Sequence, residues 1–328
     1  MPHSIMLPNS SCLPHVSVVI PIYNGEADLL ELLNCLQSQS YPNERVEYLL
    51  VDNGSGDRTP QWLQVAAQTH SSIRPLSEIE IQSSYAARNT GIRAATGEIL
   101  AFTDVDCRPQ PEWLYQLIQP FANPAIGIVA GEVMALPGTS LLERYADRHD
   151  TLSQNHTLAH PFCPYGQTAN LAIRRQALEQ VGLFRPYLTT GGDADICWRI
   201  LRQTGWQIQF AEQAIVSHRH RSTLADLRSQ WQRYGRSNRY LHELHGINLT
   251  RDMTLRDYGY RGSRWLLKEI PVAIVRQTHF THLVDAIVDT PIDLICRQAR
   301  SQGQRGAQLS DLARQIVWLD QEAPVIQL

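Results

Sequence analysis

The sequence predicts an α/β fold, with a mostly parallel sheet flanked by helices and a helical extension at its C-terminal end. Three observations carry this. Apolar runs at Val16 to Ile22, Val46 to Val51 and Ile99 to Phe102 each stop abruptly at turn or breaker residues, as inner strands of a parallel sheet do. Between the first two, Leu29, Leu30, Leu32, Leu33 and Leu36 recur on one helical face from Glu26 to Gln39. The order strand, helix, strand, helix implies parallel strands joined by right-handed crossovers.

The first strand closes in Tyr23-Asn24-Gly25, a turn. The second ends in Asp52-Asn53-Gly54-Ser55-Gly56-Asp57, with Thr59 and Pro60 as N-cap and first position of the next helix. Gly54 and Gly56 invite comparison with a dinucleotide fingerprint. Thr59 stands where its third glycine belongs and the first βα turn is already past, which excludes a Rossmann dehydrogenase. A carboxylate at a strand end, backed by flexible backbone donors, suits a nucleotide base or ribose; a plain turn explains Asp52 equally. Tyr85 to Gly91 opens an alanine-rich helix, where Arg88 would reinforce an anion site or lie solvated on the surface.

The run Ile99 to Phe102 leads into Thr103-Asp104-Val105-Asp106-Cys107, and Pro109 and Pro111 follow. Two carboxylates one residue apart repel each other and lose hydration, so a cation should offset the cost. Oxygen ligands of this hardness suit Mg²⁺ or Mn²⁺, which could bridge to phosphate oxygens. The competing reading is a turn whose aspartates cap a helix near Pro111.

Composition narrows the classes. The 328 residues suffice for one large core or for a domain with an appendage. A formal net charge of -3 argues against general affinity for nucleic acid or anionic lipid. Lys268 is the only lysine, so positive charge is nearly all arginine. The six cysteines are scattered, without a Cys-x-x-Cys pair, which fits a reducing compartment rather than structural zinc or a disulfide framework. Met1 to Pro14 lacks the pattern of a secretory signal, and no apolar run approaches the ~20 residues of a membrane span. The expectation is a cytoplasmic protein with peripheral contact at the inner face of the membrane left open.

Four segments stand in one order: Val18-Val19-Ile20-Pro21-Ile22-Tyr23-Asn24, Val51-Asp52-Asn53-Gly54-Ser55, Ala87-Arg88-Asn89-x-Gly91 and Asp104-Val105-Asp106. Together they resemble the family 2 glycosyltransferases, which transfer sugars from nucleotide diphosphates on a GT-A fold. The resemblance runs from Val16 to the region of Arg233. It implies that Pro21, Tyr23, Asn24 and Glu26 line a nucleotide pocket and that Asp52 faces the base. It further implies that Arg88 and Asn89 approach the donor, while Asp104 and Asp106 hold sugar or ribose and the metal.

The second half resembles the family's acceptor side. Cys163-Pro164-Tyr165-Gly166-Gln167-Thr168-Ala169-Asn170 is similar to its glycine loop, with Gly166 allowing close approach of substrate or making a turn. Arg174 and Arg175 read as surface charge before a short helix, Ala177 to Val181, that ends at Gly182. Gly191-Gly192-Asp193-Ala194-Asp195 opens a helix with Ile196, Ile200 and Leu201 on its apolar face. The family usually reads Glu-Asp-x-Asp-Leu here, so the resemblance makes Asp193 the general base, with Gly192 in place of the glutamate. Asp195 is expected on the acceptor side, on a different helix face. The outcome implied is inversion at the anomeric carbon.

A short strand at Ala214 to Val216 leads to His218, which the resemblance adds to the metal site, with His220 as alternate. Gln230-Trp231-Gln232-Arg233-Tyr234 resembles a signature of processive polysaccharide synthases, and puts Arg233 near the diphosphate. Without membrane spans, transfer of a single sugar is the expectation. From Trp265 to Cys296 apolar segments alternate with charges, as amphipathic helices do, and a last helical stretch is expected at Leu312 to Leu319.

The expected layout is an N-terminal tail (1–15), a catalytic domain (16–221) and a helical extension (222–328). The expected function is metal-dependent, inverting transfer of one sugar from a nucleotide-diphosphate sugar to a sugar, lipid or protein hydroxyl, in cell-surface or extracellular glycan synthesis. Two alternatives stay open: a nucleotidyltransferase of sugar phosphates, and an inactive nucleotide-sugar-binding module.

Overall fold

The computed structural model describes residues 13–276 and 279–320; residues 1–12 of the expected tail lie outside them. The chain runs β1 (Val16–Ile22), α1 (Glu26–Gln37), β2 (Val46–Asp52), α2 (Thr59–Thr69), β3 (Ile73–Ser77), α3 (Ser84–Ala94) and β4 (Ile99–Phe102). It continues through β5 (Cys107–Pro109), α4 (Trp113–Ile118), β6 (Ile126–Ala135), α5 (Leu141–Arg148), α6 (Gln154–Leu158), β7 (Leu171–Arg174) and α7 (Arg175–Val181). Then come α8 (Gly192–Gln203), β8 (Gln207–His218), α9 (Leu224–His245), α10 (Leu255–Arg264), α11 (Ile270–Arg276) and α12 (Phe280–Gly306).

The strands form one sheet in the order β3-β2-β1-β4-β7-β6-β8-β5. The half read from the apolar runs is parallel: β1 pairs with β2 and β4, and β2 with β3. Beyond β4 the pairings recorded are antiparallel, β4 with β7, β6 with β7 and β5 with β8. β1 and β2 are buried at every position, as inner strands covered by helices on both faces must be. β3, at the edge, alternates instead. β8 is far longer than the expected strand at Ala214 to Val216, because its polar outward residues hide the period-two pattern. The stretch expected to be helical at Leu312 to Leu319 is only a single tight turn at Leu312–Arg314.

A buried carboxylate ties the parallel half together. Glu47 accepts from Ser17 Oγ (2.6 Å), the Thr96 N–H (2.6 Å) and the Thr96 hydroxyl (2.7 Å), and pairs with Arg74. Burial alone would raise its pKa; these donors outweigh it and hold it at about 2, against an ordinary 4.5. Its contribution is therefore present above the unfolded value and lost as pH falls through about 2. Glu47→Gln should cost about 2–3 kcal/mol at pH 7 and far less near pH 2, read from urea unfolding at the two pH values.

By its contacts the chain divides into two units, and not by a single cut at residue 221. The first comprises Met1–Met134, Ser153–His218 and Asp311–Leu328; the second comprises Ala135–Leu152 and Arg219–Ser310. The segment after α12 joins the first unit because the Leu183 N–H donates to the Val317 carbonyl (2.8 Å) and Arg185 donates to that of Arg314. In the second unit, Arg144 and Arg148 of α5 both pair with the buried Asp285 of α12. There α9 and α12 meet main chain to main chain. A Cβ on Gly235 would lie 1.9 Å from the Arg300 carbonyl oxygen, and one on Gly303 would lie 2.0 Å from that of Gln232.

Candidate active site

The loops after β1 and β2 leave from one edge, because Ile22 stands opposite Asp52 in the parallel register. Ligands of such sheets gather beyond these strand ends. Asn24 adopts the left-handed conformation (φ +49°), which asparagine tolerates better than most residues. It is held there by the opposite loop: its N–H donates to Ser55 Oγ and its Oδ1 accepts from the Gly56 N–H, both at 2.9 Å. Asp52 is nearly buried and accepts from the Ser55 N–H (3.3 Å). Pro21 sits opposite Val51 within the sheet, and Tyr23 is 53% exposed beside it in sequence. Glu26 is occupied by Arg58, whose side chain and N–H hold the Glu26 carboxyl below the usual range.

Topology assembles the next cluster. β4 lies at the centre of the sheet, but after Asp104-Val105-Asp106 the chain reaches the far edge as β5, where Cys107 stands opposite His218 of β8. Asp106 Oδ2 and His218 Nε2 are thereby 3.2 Å apart. One ligand atom from each of Asp106, Cys107 and His218 falls within 4.8 Å of the others. Cys107 is fully buried, and burial with the charges of Asp104 and Asp106 pushes its thiol well above its ordinary pKa. The oxygen and nitrogen donors of Asp106 and His218 fit a hard divalent cation with further positions for other oxygens. Asp104 is not in this cluster. Its Oδ1 accepts from Arg88 Nη2 at 2.6 Å.

Arg88 is neither at the helix start nor solvated: it lies inside α3, 3% exposed, and its Nε has no hydrogen-bond partner among the described residues. Its guanidinium also lies 5.6 Å from the centre of the Tyr85 ring. Asp193, half-buried in the first turn of α8, accepts from Thr168 Oγ1 (3.0 Å). Burial raises its pKa, opposed by the Arg88 charge and the Thr168 hydrogen bond, with Asp104 adding to the rise.

Three sequence-derived site residues are engaged within the fold itself, and a fourth lies in the second unit. Asn89 is 1% exposed, and its amide both donates to the Phe184 carbonyl (2.8 Å) and accepts from the Phe184 N–H (3.1 Å). Asp195 has no exposed surface; its two oxygens accept from Arg185 Nε and Arg199 Nε, each at 3.0 Å. Gly166 is required by packing, since a Cβ there would lie 2.5 Å from Leu171 Cδ1. Arg233 is exposed on α9 of the second unit, which also contains His220. Arg174 and Arg175 are not loose surface charge either. Arg174 donates to the carbonyls of Ile126 and Phe121, and Arg175 to those of Gly97 and Ala95. Sequence reasoning assigned no role to Thr168 or Tyr85. Thr168 lay in a loop read for its glycine, and its hydroxyl reaches a carboxylate 25 residues away only once the chain folds.

The family model for glycosyl transferase family 2 matches residues 17–182. Glycosyltransferase AglE of Haloferax volcanii is 35% identical over 248 residues, covering 75% of this chain and 80% of that one. The pre-mycofactocin glycosyltransferase of Mycobacterium tuberculosis is 30% identical over 227 residues; the match covers 68% of this chain but only 46% of the relative. Among solved structures, the mannosyltransferase PcManGT from Pyrobaculum calidifontis, in complex with GDP-Man and Mn²⁺, superposes with a TM-score of 0.62. It covers 92% of this chain and 89% of its own at 19% identity, a likeness of fold. Against these findings the alternatives of a sugar-phosphate nucleotidyltransferase and an inactive module give way. With half of the chain inside the family model, and a relative this similar across four-fifths of its length, the protein belongs to glycosyl transferase family 2 and is a glycosyltransferase.

Proposed function

We propose that the enzyme transfers one sugar from a nucleoside-diphosphate sugar to an acceptor hydroxyl, with inversion and with a divalent metal, in the synthesis of cell-surface or extracellular glycans. The observation that carries this reading is Asp193, a half-buried carboxylate with a raised pKa, within the field of the Arg88–Asp104 pair. As general base, Asp193 takes the proton of the acceptor hydroxyl as that oxygen bonds to the anomeric carbon. The bond from that carbon to the diphosphate oxygen breaks on the opposite face, and the electron pair leaves with the nucleotide. Thr168 holds Asp193 in place, and Arg88 balances the charge that develops on the diphosphate. The joined loops at Tyr23, Asn24 and Asp52 take the nucleoside. Asp106 and His218 would hold the metal, Mg²⁺ or Mn²⁺, which would supply positive charge to the leaving diphosphate. GDP-Man with Mn²⁺ in the mannosyltransferase supports this donor class.

Release of nucleoside diphosphate from GDP and UDP sugars with Mn²⁺, Mg²⁺ or EDTA tests it. Turnover with at least one donor should appear with metal and vanish in EDTA. Asp106→Ala should remove the metal dependence of donor binding, measured calorimetrically, while the fold is kept. Equal donor affinity with and without EDTA in the parent protein would sink the metal assignment.

A location at the inner face of the membrane belongs to the same reading. Among the described residues no helix is long and apolar enough to cross a membrane. In the second unit, α10, a wide helical turn at Trp265–Glu269 and α11 follow one another. Arg261 pairs with Asp293, Trp265 donates to the Ile287 carbonyl, Glu269 accepts from Thr290, and Ala273 is buried. This every-fourth-residue stripe faces α12. Leu266, Leu267, Ile274 and Val275 are left exposed, with Lys268 and Arg276 exposed among them. Such a face suits an interfacial helix on anionic lipid. The α12 part of the expected amphipathic region is different, since Ile292, Cys296 and Ala299 are buried. The parent should co-sediment with anionic liposomes and Leu267→Asp/Val275→Asp should not; a parent that stays in the supernatant would remove the membrane from the reading.

A further inference from the structure

The site departs from the family's usual residues at Gly192, where the resemblance calls for a glutamate before the base. The space such a side chain would enter is filled. A Cβ on Gly192 would lie 2.6 Å from Cε1 and Cζ of the Tyr85 ring and 2.8 Å from its Cε2. The Gly192 N–H, among the first N–H groups of α8, which have no partner within the helix, donates to Tyr85 Oη at 2.9 Å. The ring itself is 6% exposed and fixed. It stacks on Phe184 with centroids 5.6 Å apart and planes 17° from parallel, and Asn89 clamps the Phe184 backbone. Ser83 caps α3 by accepting from the Tyr85 N–H (3.2 Å), so the backbone beneath the ring is held as well.

We propose that Tyr85 is the positioning residue of the site: its phenol occupies the glutamate's place, anchors the start of α8 through Gly192, and so sets Asp193 against Arg88. The proposal rests on Asp193 being the base. Three links make the phenol suited to this. Gly192 and Asp193 are adjacent, so a bond to the Gly192 N–H restrains the backbone that carries the Asp193 side chain. The same ring lies under the Arg88 guanidinium, so one rigid group sets both the base and the cation facing the leaving diphosphate. A phenol is also neutral. Burial, with the Asp193 charge after it, keeps the Tyr85 hydroxyl protonated. A glutamate there would add a second negative charge beside Asp193, whereas the tyrosine supplies the hydrogen bond without it.

The test compares full-length Tyr85→Phe, Tyr85→Ala, Gly192→Glu, Tyr85→Ala/Gly192→Glu and Asp193→Asn, using diphosphate release from the best donor at saturating Mn²⁺. Tyr85→Phe keeps the ring and loses only the hydroxyl; kcat should fall about tenfold, the scale of one hydrogen bond, with donor KM within about twofold. Tyr85→Ala and Gly192→Glu should each fall further, the first from a loosened helix start and the second from collision with the ring. The double variant should recover to at least tenfold above either single one, because the glutamate enters the vacated space, a non-additivity that general destabilisation does not produce. Parental kcat in Tyr85→Phe, or parental kcat in Gly192→Glu, would overturn the proposal, and so would a double variant no better than the poorer single one. Asp193→Asn separates the two levels. Parental turnover there removes the base reading itself, whereas a collapse there beside a parental Tyr85→Phe overturns only the role of Tyr85.

Discussion

Asp193→Asn is expected to lower transfer by about 10²–10⁴, the range for losing a general base, while donor and metal binding persist. The side chain keeps its shape and can still accept from Thr168; only basicity is lost. Stability should move the other way. The folded-state pKa of Asp193 is raised, chiefly by burial, so the native protein holds this proton better than the unfolded chain does. Its stability contribution is therefore full below the unfolded pKa and is lost as pH rises through the folded one. At neutral pH the parent bears the cost of an ionised, half-buried carboxylate, and the asparagine variant does not. The variant should melt slightly higher than the parent at pH 7, and the difference should close in acid. In the parent, the acid limb of the pH–rate profile should stand above the ordinary carboxylate range. Near-parental turnover in the variant at saturating donor and acceptor would end the assignment.

Asp195→Asn, two residues along, should instead destabilise the fold. Asp195 joins Arg185 and Arg199 in a site without solvent, and Arg199 also donates to the carbonyls of Val181 (2.6 Å), Gly182 (3.2 Å) and Leu183 (2.7 Å). The asparagine would remove the negative charge that pairs with both guanidiniums and turn an amide NH₂ toward one of them. Breaking a buried pair from one side costs about 3–5 kcal/mol. In a chain of this size that is a fall in Tm of roughly 10 °C, read by calorimetry. Full-strength folding of Asp195→Asn with a collapse in turnover would contradict this and return Asp195 to the chemistry.

The contrast shows what a sequence can and cannot disclose here. The strands β1, β2 and β4 were legible because burial on both faces leaves a local mark, an unbroken apolar run ended by turn residues. Asp106 and His218 were singled out in sequence only by lying shortly after apolar residues; what brings them together is the pairing of β5 with β8 across more than a hundred residues. The internal contacts of Asn89 and Asp195, expected at the substrate, and of Arg174 and Arg175, expected as surface charge, were not visible because a polar side chain looks alike in sequence whatever it meets. Apart from the i,i+4 pair of Asp195 with Arg199, their partners lie 10 to 95 residues away in sequence. Tyr85 and Thr168 escaped notice for the same reason. That the segment after α12 groups with the first unit was not visible either, since contacts such as those of Leu183 with Val317 and of Arg185 with Arg314 leave no trace in composition.

The close approach of α9 and α12 at Gly235 and Gly303 gives the second unit a mechanical property. Two helices separated by side chains can slide by repacking rotamers, but here main chain touches main chain at two points. A shift of one residue along either helix would drive a Cβ into a carbonyl, so the pair has a single allowed register. α9 and α12 must then separate as a whole rather than fray past one another. Their amide hydrogens should exchange together, at one common opening free energy, as a single foldon.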